Sequence, residues 1–311
     1  MNPEIIIAIG DLHGHYPALE SLITFLNKKY SLIVDGKIRQ GALLVSTGDS
    51  IDRGNNSMDI IKYFMKLGID NPGSFKALMG NHELLALENL AEARKLSALP
   101  NPDLEDYQAR TIIGSNSEIN RHGSNGGINF IEEFGTDPKS ALDNYVQRMS
   151  RDGDIGGWMR GLLPGYHEKM NGKRLLFVHA GVPEVIKNRA SLDAYLTEFR
   201  KYVNQDTDNL GGSFEKYSAP LLVKNGLFWD RNARRMSNNA IDALIERLGV
   251  DYIITGHTPN KKVVMYGDRI IDIDIGMCPS YGANTPAALV ITPVGISAHY
   301  ITGEEQELAK F

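Results

Sequence analysis

The chain of 311 residues holds one cysteine, Cys278. That excludes an internal disulfide framework and any zinc site built on paired thiolates. No uninterrupted apolar run approaches the ~20 residues that cross a bilayer, so no membrane partner is expected. Positive charge is in deficit, with 33 Lys and Arg against 38 Asp and Glu for a net charge of −5. A nonspecific nucleic-acid binder needs the opposite balance, because its affinity comes from cations set against phosphates, so no nucleic-acid partner is expected either. The opening residues, MNPEIIIAIG, lack the basic stretch and small-residue cleavage site of a secretory leader, and the expected location is the cytoplasm. Solenoid-period repeats and low-complexity tracts are also missing.

What is present is a recurring unit. An apolar, β-branched run ends in Gly with Asp, Asn or His, and a helical pattern usually follows. Residues 4–9 lead into Gly10-Asp11-Leu12-His13-Gly14, and Leu19, Leu22, Ile23 and Leu26 then recur at helical spacing. Residues 42–47 lead into Gly48-Asp49 and a helix over 57–67; residues 75–79 lead into Gly80-Asn81-His82-Glu83 and a helix through about Leu96. Residues 174–178 lead into His179-Ala180-Gly181, and 252–255 into Gly256-His257-Thr258. Five buried strands thus each deliver a polar residue at the carboxyl end, the edge where ligands bind in open α/β sheets. One such unit could be a mere strand-to-helix turn; five presenting only Asp, Asn and His call for a site.

The tail reads as a meander of short strands at 262–266, 269–274, 287–292 and 295–300. The expected fold class is therefore α/β (α+β), a mixed sheet extended by antiparallel strands with helices outside. Length alone allows about two domains, but the units run through nearly the whole chain, and one domain over 1–311 is expected. A helical and loop insertion occupies about 97–173, with 114–129 as a Gly-, Asn- and Ser-rich loop and a helix over 136–151 begun by Thr136-Asp137-Pro138. A smaller insertion lies at about 188–225 with a helix over 191–203. Insertions at this edge are assigned to substrate selection, with packing lids as the alternative.

Asp11, His13, Asp49, Asn81, His179 and His257 offer oxygen and imidazole donors without thiolate, a palette that suits Mn, Fe or Zn. Two carboxylates leave excess positive charge on two divalent cations, which a hydroxide and a phosphate dianion would neutralise. Gly-Asp-Leu-His-Gly at 10–14, Gly-Asp-Ser-Ile-Asp-Arg-Gly at 48–54, Gly-Asn-His-Glu at 80–83, His-Ala-Gly at 179–181 and Gly-His-Thr at 256–258 together resemble the ordered signature of the calcineurin-like metallophosphoesterases. Within that superfamily the chain is most similar to the phosphoprotein-phosphatase branch. Leu-Phe-Trp-Asp-Arg at 227–231 and Ile-Asp-Ile-Gly-Met at 273–277 resemble tail motifs of its Shewanella-like bacterial members.

The resemblance implies two packed mixed β-sheets flanked by helices. It implies two divalent metal ions, with Mn²⁺ first and Fe or Zn as alternatives: Asp11, His13 and Asp49 on one, Asp49, Asn81, His179 and His257 on the other. It implies hydrolysis of phosphate monoesters, on phosphoprotein Ser/Thr or Tyr or on a small phosphomonoester, by attack of a hydroxide bridging the metals. His82 is then the general acid and Asp52 its partner, an arrangement in which a carboxylate fixes the imidazole tautomer. Arg53, Arg231 and Asn81 are the phosphate-binding candidates, since guanidinium forks match phosphate oxygens. The bland alternatives are a helix cap for His82, a surface turn for Asp52 and a surface ion pair for Arg231. Arg121, His122 and Arg160 are read as structural or solvated before substrate contacts, Trp158 and Trp229 as core or pocket-wall aromatics, and Cys278 as a buried thiol. The chain departs from animal-type members where Leu84-Leu85-Ala86-Leu87 replaces an arginine and His-Ala-Gly replaces His-Gly-Gly. Competing functions are a symmetrical diadenosine-tetraphosphate hydrolase, suggested by residues 158–164, and a noncatalytic metal-binding scaffold. Oligomeric state is not legible.

Overall fold

The computed structural model describes residues 3–107, 122–184, 186–205, 210 and 226–311. Five apolar residues form β1 (Ile5–Ile9), buried along its whole length, as a central strand with cover on both faces must be. In chain order there follow α1 (Tyr16–Tyr30), the hairpin β2 (Ile33–Val34) and β3 (Lys37–Ile38), β4 (Ala42–Ser46), α2 (Ser57–Asp70), β5 (Phe75–Ala77), α3 (Asn81–Glu88) and α4 (Leu90–Ser97). The large insertion contributes α5 (Gly127–Glu132), α6 (Pro138–Met149) and α7 (Asp154–Arg160). Next come β6 (Tyr166–Met170), β7 (Lys173–Phe177), α8 (Arg189–Val203), α9 (Asn238–Leu248) and β8 (Tyr252–Thr255), then β9 (Val264–Tyr266), β10 (Ile270–Asp272), β11 (Ala287–Thr292), β12 (Gly295–Tyr300) and β13 (Glu305–Lys310).

Strand patterning alone implied one extended mixed sheet; the strands instead divide into two, as the resemblance implied. One runs β13-β12-β11-β1-β4-β5 and the other β6-β7-β8-β10-β9. Strands β1, β4 and β5 are parallel, as are β7, β8 and β10, while β11, β12, β13, β6 and β9 join antiparallel. Strand side chains alternate between faces, and this decides the layering. Leu175, Phe177, Tyr252, Ile254 and Ile271 share an apolar cluster with β1, β4, α1 and α2. The alternating Leu176, Val178, Ile253 and Ile270 join a second cluster with α8, α9 and the insertion helices. The second sheet is therefore covered on both faces.

Local chemistry sets the helix starts. Asp137 accepts from Ser140 N at 3.0 Å with Pro138 in the first turn of α6, as expected from Thr136-Asp137-Pro138. Asn188 caps α8 through Ser191 N at 2.8 Å. The single helix expected through Leu96 is two, because Asn89 adopts φ −92°, ψ 5° between α3 and α4 and turns its amide back to Leu85 O. Of the loop expected at 114–129, residues 114–121 lie outside the described residues, and the rest is a short 3₁₀ turn entering α5. Several features were not anticipated, the helix α9 among them. The hairpin between β2 and β3 turns on Asp35-Gly36, both at positive φ, as a two-residue hairpin requires. Strand β6 has a mixed pattern, and β13 is a solvated edge without an apolar run. Among the described residues no helix is long and apolar enough to cross a membrane.

Candidate metal centre

The five strand ends converge. Beyond β1 lie Asp11 and His13; beyond β4, Asp49, Asp52 and Arg53; beyond β5, Asn81 and His82 at the start of α3; beyond β7, His179; beyond β8, His257. All of them except Arg53 are buried. Five of these residues, His13, Asp49, Asp52, Arg53 and His257, hold positive φ without being glycine. Each such conformation costs roughly 1–3 kcal/mol and persists only where surrounding contacts impose it. Close approach is equally demanding at Gly256, where a Cβ would stand 2.2 Å from Asp11 Oδ1.

Hydrogen bonds fix which ring nitrogens are free. A carbonyl oxygen only accepts, so His13 Nδ1–H donates to Ile51 O at 3.2 Å and His179 Nδ1–H to Thr47 O at 2.9 Å. Both Nε2 lone pairs are thereby turned inward, the arrangement that orients imidazoles as metal ligands. Asp49 Oδ2 lies 3.5 Å from His13 Nε2 and 3.5 Å from His179 Nε2, between the two sets of donors. His179 Nε2 and His257 Nδ1 each approach Asn81 Oδ1 at 2.9 Å. Asp11 Oδ2 accepts from His257 N at 2.9 Å, whereas Asp11 Oδ1 is buried with no hydrogen-bond partner. Two groups of donor atoms, His13–Asp49–His82 and Asp49–His179–His257, each lie within 4.8 Å of one another. An orphaned buried carboxylate oxygen beside converging imidazole nitrogens and a carboxamide oxygen fits divalent cations.

The electrostatics agree. Burial, then Asp274 and Asp49, push the Asp11 carboxyl well above its usual range; a cation reverses that penalty. Burial and the neighbouring His82 drop His13 to about 3, and burial, His179 and Arg231 hold His257 well below its ordinary value. Both stay neutral, as ligands must be. Burial alone would raise Asp49, but the imidazoles of His179 and His82 hold it low. His179 is raised: burial opposes its charge most strongly, and the Asp49 charge and hydrogen bond, the Thr47 carbonyl and Glu83 together outweigh burial.

Beside the donors, His82 Nδ1 donates to Asp52 Oδ2 at 2.7 Å, and His82 Nε2 faces Arg53 Nη2 at 3.4 Å. Asp52 is fully buried, so the surface-turn alternative fails. Burial would raise its carboxyl, yet hydrogen bonds from His122 and His82 bring it to about 2. Nor does His82 cap α3. Glu83 does, its Oε2 accepting from Gly80 N at 2.9 Å and Asp49 N at 3.0 Å, and its Oε1 from Ser50 N at 2.7 Å. The exposed Arg231 donates from Nε to His257 Nε2 at 3.1 Å, so it stands at the site rather than in a surface ion pair. Trp229 meets His257 edge-on at 5.7 Å, which makes it a pocket-wall aromatic.

The insertion residues divide. Arg121 lies outside the described residues. Arg160 is buried and donates to Val203 O, a structural role. Residues 158–164 serve the sheet edge, with Leu163 N donating to Ala77 O and Met79 N to Leu163 O at 3.0 and 2.9 Å. Cys278 is buried. Sequence reasoning missed the role of Glu83, although its place three residues after Gly80 is a capping-box position. It also missed Tyr281, whose ring lies 4.9 Å from the Arg53 guanidinium and 5.5 Å from His13; nothing in its local pattern marks it. Asp274 was likewise passed over, buried with Oδ2 unpartnered.

The calcineurin-like phosphoesterase family model matches residues 5–261. "Serine/threonine-protein phosphatase 2" of Escherichia coli (strain K12) is 37% identical over 83 residues, 27% of this chain and 31% of that protein. The chain thus matches about a third of that relative's length. An uncharacterized protein of Schizosaccharomyces pombe is 24% identical over 295 residues, 90% of this chain and 75% of its own. Among solved structures, the cold-active protein-tyrosine phosphatase of a psychrophilic Shewanella shares the fold, with TM-score 0.67 at 21% identity over 99% of this chain and 81% of that one. A Saccharomyces cerevisiae protein serine/threonine phosphatase similar to human PP5 follows at TM-score 0.53 and 15% identity, over 99% and 82%.

Proposed function

The chain belongs to the calcineurin-like phosphoesterase family, and from that premise we propose a dinuclear metal-dependent phosphomonoesterase of the phosphoprotein-phosphatase branch. Asp11, His13 and Asp49 would hold one divalent cation, and Asp49, Asn81, His179 and His257 the other. Cations bound there make hydroxide available from water near neutral pH and screen the phosphate charge. Mn²⁺ is the proposed native metal, with Fe and Zn as alternatives that the same donors accept. One domain over 1–311, with insertions at about 97–173 and 188–225, carries this chemistry in the cytoplasm.

The observation that carries this reading is the His82–Asp52 pair, buried against Asp49 and hydrogen-bonded at 2.7 Å. Asp52 accepts the Nδ1–H of His82, so in the doubly protonated imidazolium it is the Nε2–H that would pass to the leaving oxygen of an ester, leaving the neutral Nδ1–H ring. A leaving alkoxide gains more from such a donor than a leaving phosphate does, which favours an ester over a phosphoanhydride. Arg53 stands beside His82 Nε2, and Arg231 beside His257; both guanidinium groups would bind the equatorial phosphate oxygens, joined by the Asn81 amide. The substrate is a phosphorylated protein or a small phosphomonoester.

A turnover comparison tests the proposal. Mn²⁺-loaded protein is expected to hydrolyse p-nitrophenyl phosphate well, its diester poorly, and phosphopeptides in preference to diadenosine tetraphosphate. Preference for the dinucleotide, or no turnover with any metal, overturns it.

A further inference from the structure

Asp52 has a second partner. His122, from the insertion and fully buried, donates from Nε2 to Asp52 Oδ1 at 3.1 Å, while Tyr107 OH lies 2.9 Å from His122 Nδ1. A carboxylate only accepts, so Nε2 carries a proton, and the Tyr107 hydroxyl is hydrogen-bonded to the other ring nitrogen. Tyr107, His122, Asp52 and His82 thus form one connected chain in which both carboxylate oxygens are occupied. The packing is shaped to this ring. Tyr145 lies parallel to it at 6.5 Å, and a Cβ at Gly127 would stand 2.6 Å from three His122 ring atoms. The same segment braces the turn that carries Asp52 and Arg53, both at positive φ. Arg53 N donates to Gly126 O at 3.2 Å, and Glu133 accepts from Ser57 N and Met58 N at 2.7 Å each.

We propose that His122, oriented by Tyr107, is a positioning residue that holds Asp52, and through it His82, at the angle needed for proton donation to the leaving group. This role rests on the proposed proton donation by His82. It gives part of the insertion a task beyond substrate selection. His122 touches no substrate in this scheme.

The test compares wild type, His122→Ala, His122→Gln, Tyr107→Phe, Gly127→Ala and Asp52→Asn on two monoesters. Phosphoserine has a poor leaving group and depends on the acid; p-nitrophenyl phosphate has a good one. His122→Ala is expected to lower kcat about tenfold on phosphoserine and less than about threefold on the aryl ester, the scale of one hydrogen bond, with KM and metal content unchanged. His122→Gln, which keeps a donor at the Nε2 position, should recover most of the loss, and Tyr107→Phe and Gly127→Ala should show the same leaving-group bias. In an Asp52→Asn background His122→Ala should add nothing. Equal loss on both esters, or no rescue by Gln, overturns the proposal and marks His122 as packing alone. Ring N–H protons in the NMR spectrum of metal-free protein give a reading independent of turnover. The His82 Nδ1–H resonance should shift in both His122→Ala and Tyr107→Phe, and an unmoved resonance overturns the positioning role even if the proposed activity fails.

Discussion

Glu88 closes α3, the helix whose first residues are Asn81 and His82, and it is buried with Tyr202 OH 3.2 Å from its Oε1. The same hydroxyl is 3.1 Å from Leu210 O. One hydroxyl proton cannot serve both acceptors. A protonated Glu88 resolves this by donating to the Tyr202 oxygen while Tyr202 donates to Leu210 O. Burial raises the carboxyl from 4.5 to about 8, more than a hydroxyl donated by Tyr202 to the ionised form could offset. The sign follows directly. Between those values the folded chain keeps a proton that the unfolded chain has released, so stability falls as pH rises through the window. The interval from 4.5 to about 8, at about 1.4 kcal/mol per pH unit, amounts to roughly 5 kcal/mol lost by pH 8. Glu88→Gln stays neutral and keeps a donor toward Tyr202. In urea denaturation it should match wild type to within about 1 kcal/mol at pH 5 and exceed it by several kcal/mol at pH 8.5. A gap that is the same at both pH values refutes the account of Glu88.

Other expectations concern the site. His82→Ala should lower kcat by a factor on the order of 10²–10⁴ while metal content by elemental analysis stays at the wild-type value; parallel loss of metal would make His82 a ligand. Gly256→Ala places a methyl 2.2 Å from Asp11 Oδ1, so calorimetric titration with Mn²⁺ should find weakened binding in a protein that still melts cooperatively. Asp49→Asn should empty both cation positions together, because Asp49 Oδ2 stands 3.5 Å from the imidazole of each set; loss of one ion only would contradict a shared ligand.

The strand-end candidates were legible because their determinants are local. A mostly apolar run, a polar residue at its end and a glycine within two or three positions lie together in the chain, and His13, Asp49, Asn81, His179 and His257 all follow that rule. The division of the strands into two sheets was not, because a run such as Leu175–Phe177 records that it is buried and not which strand it joins. β13 escaped for the opposite reason: a solvated edge needs no apolar run. His122 lies in a stretch of Gly, Asn and Ser with no periodicity, and its contact with Asp52 spans 70 residues of chain. Nothing near it reports that Gly127 leaves room for its ring. Glu83 was written in the sequence at a capping position, but its second task, holding the backbone of Asp49 and Ser50, depends on how two strand ends meet.

Anomalous X-ray scattering from crystals grown with Mn²⁺ addresses the shared-carboxylate centre most directly. The account predicts two peaks, one on each side of Asp49 Oδ2, the first against Asp11 and His13 and the second against Asn81, His179 and His257. A single peak, or peaks away from these side chains, contradicts it.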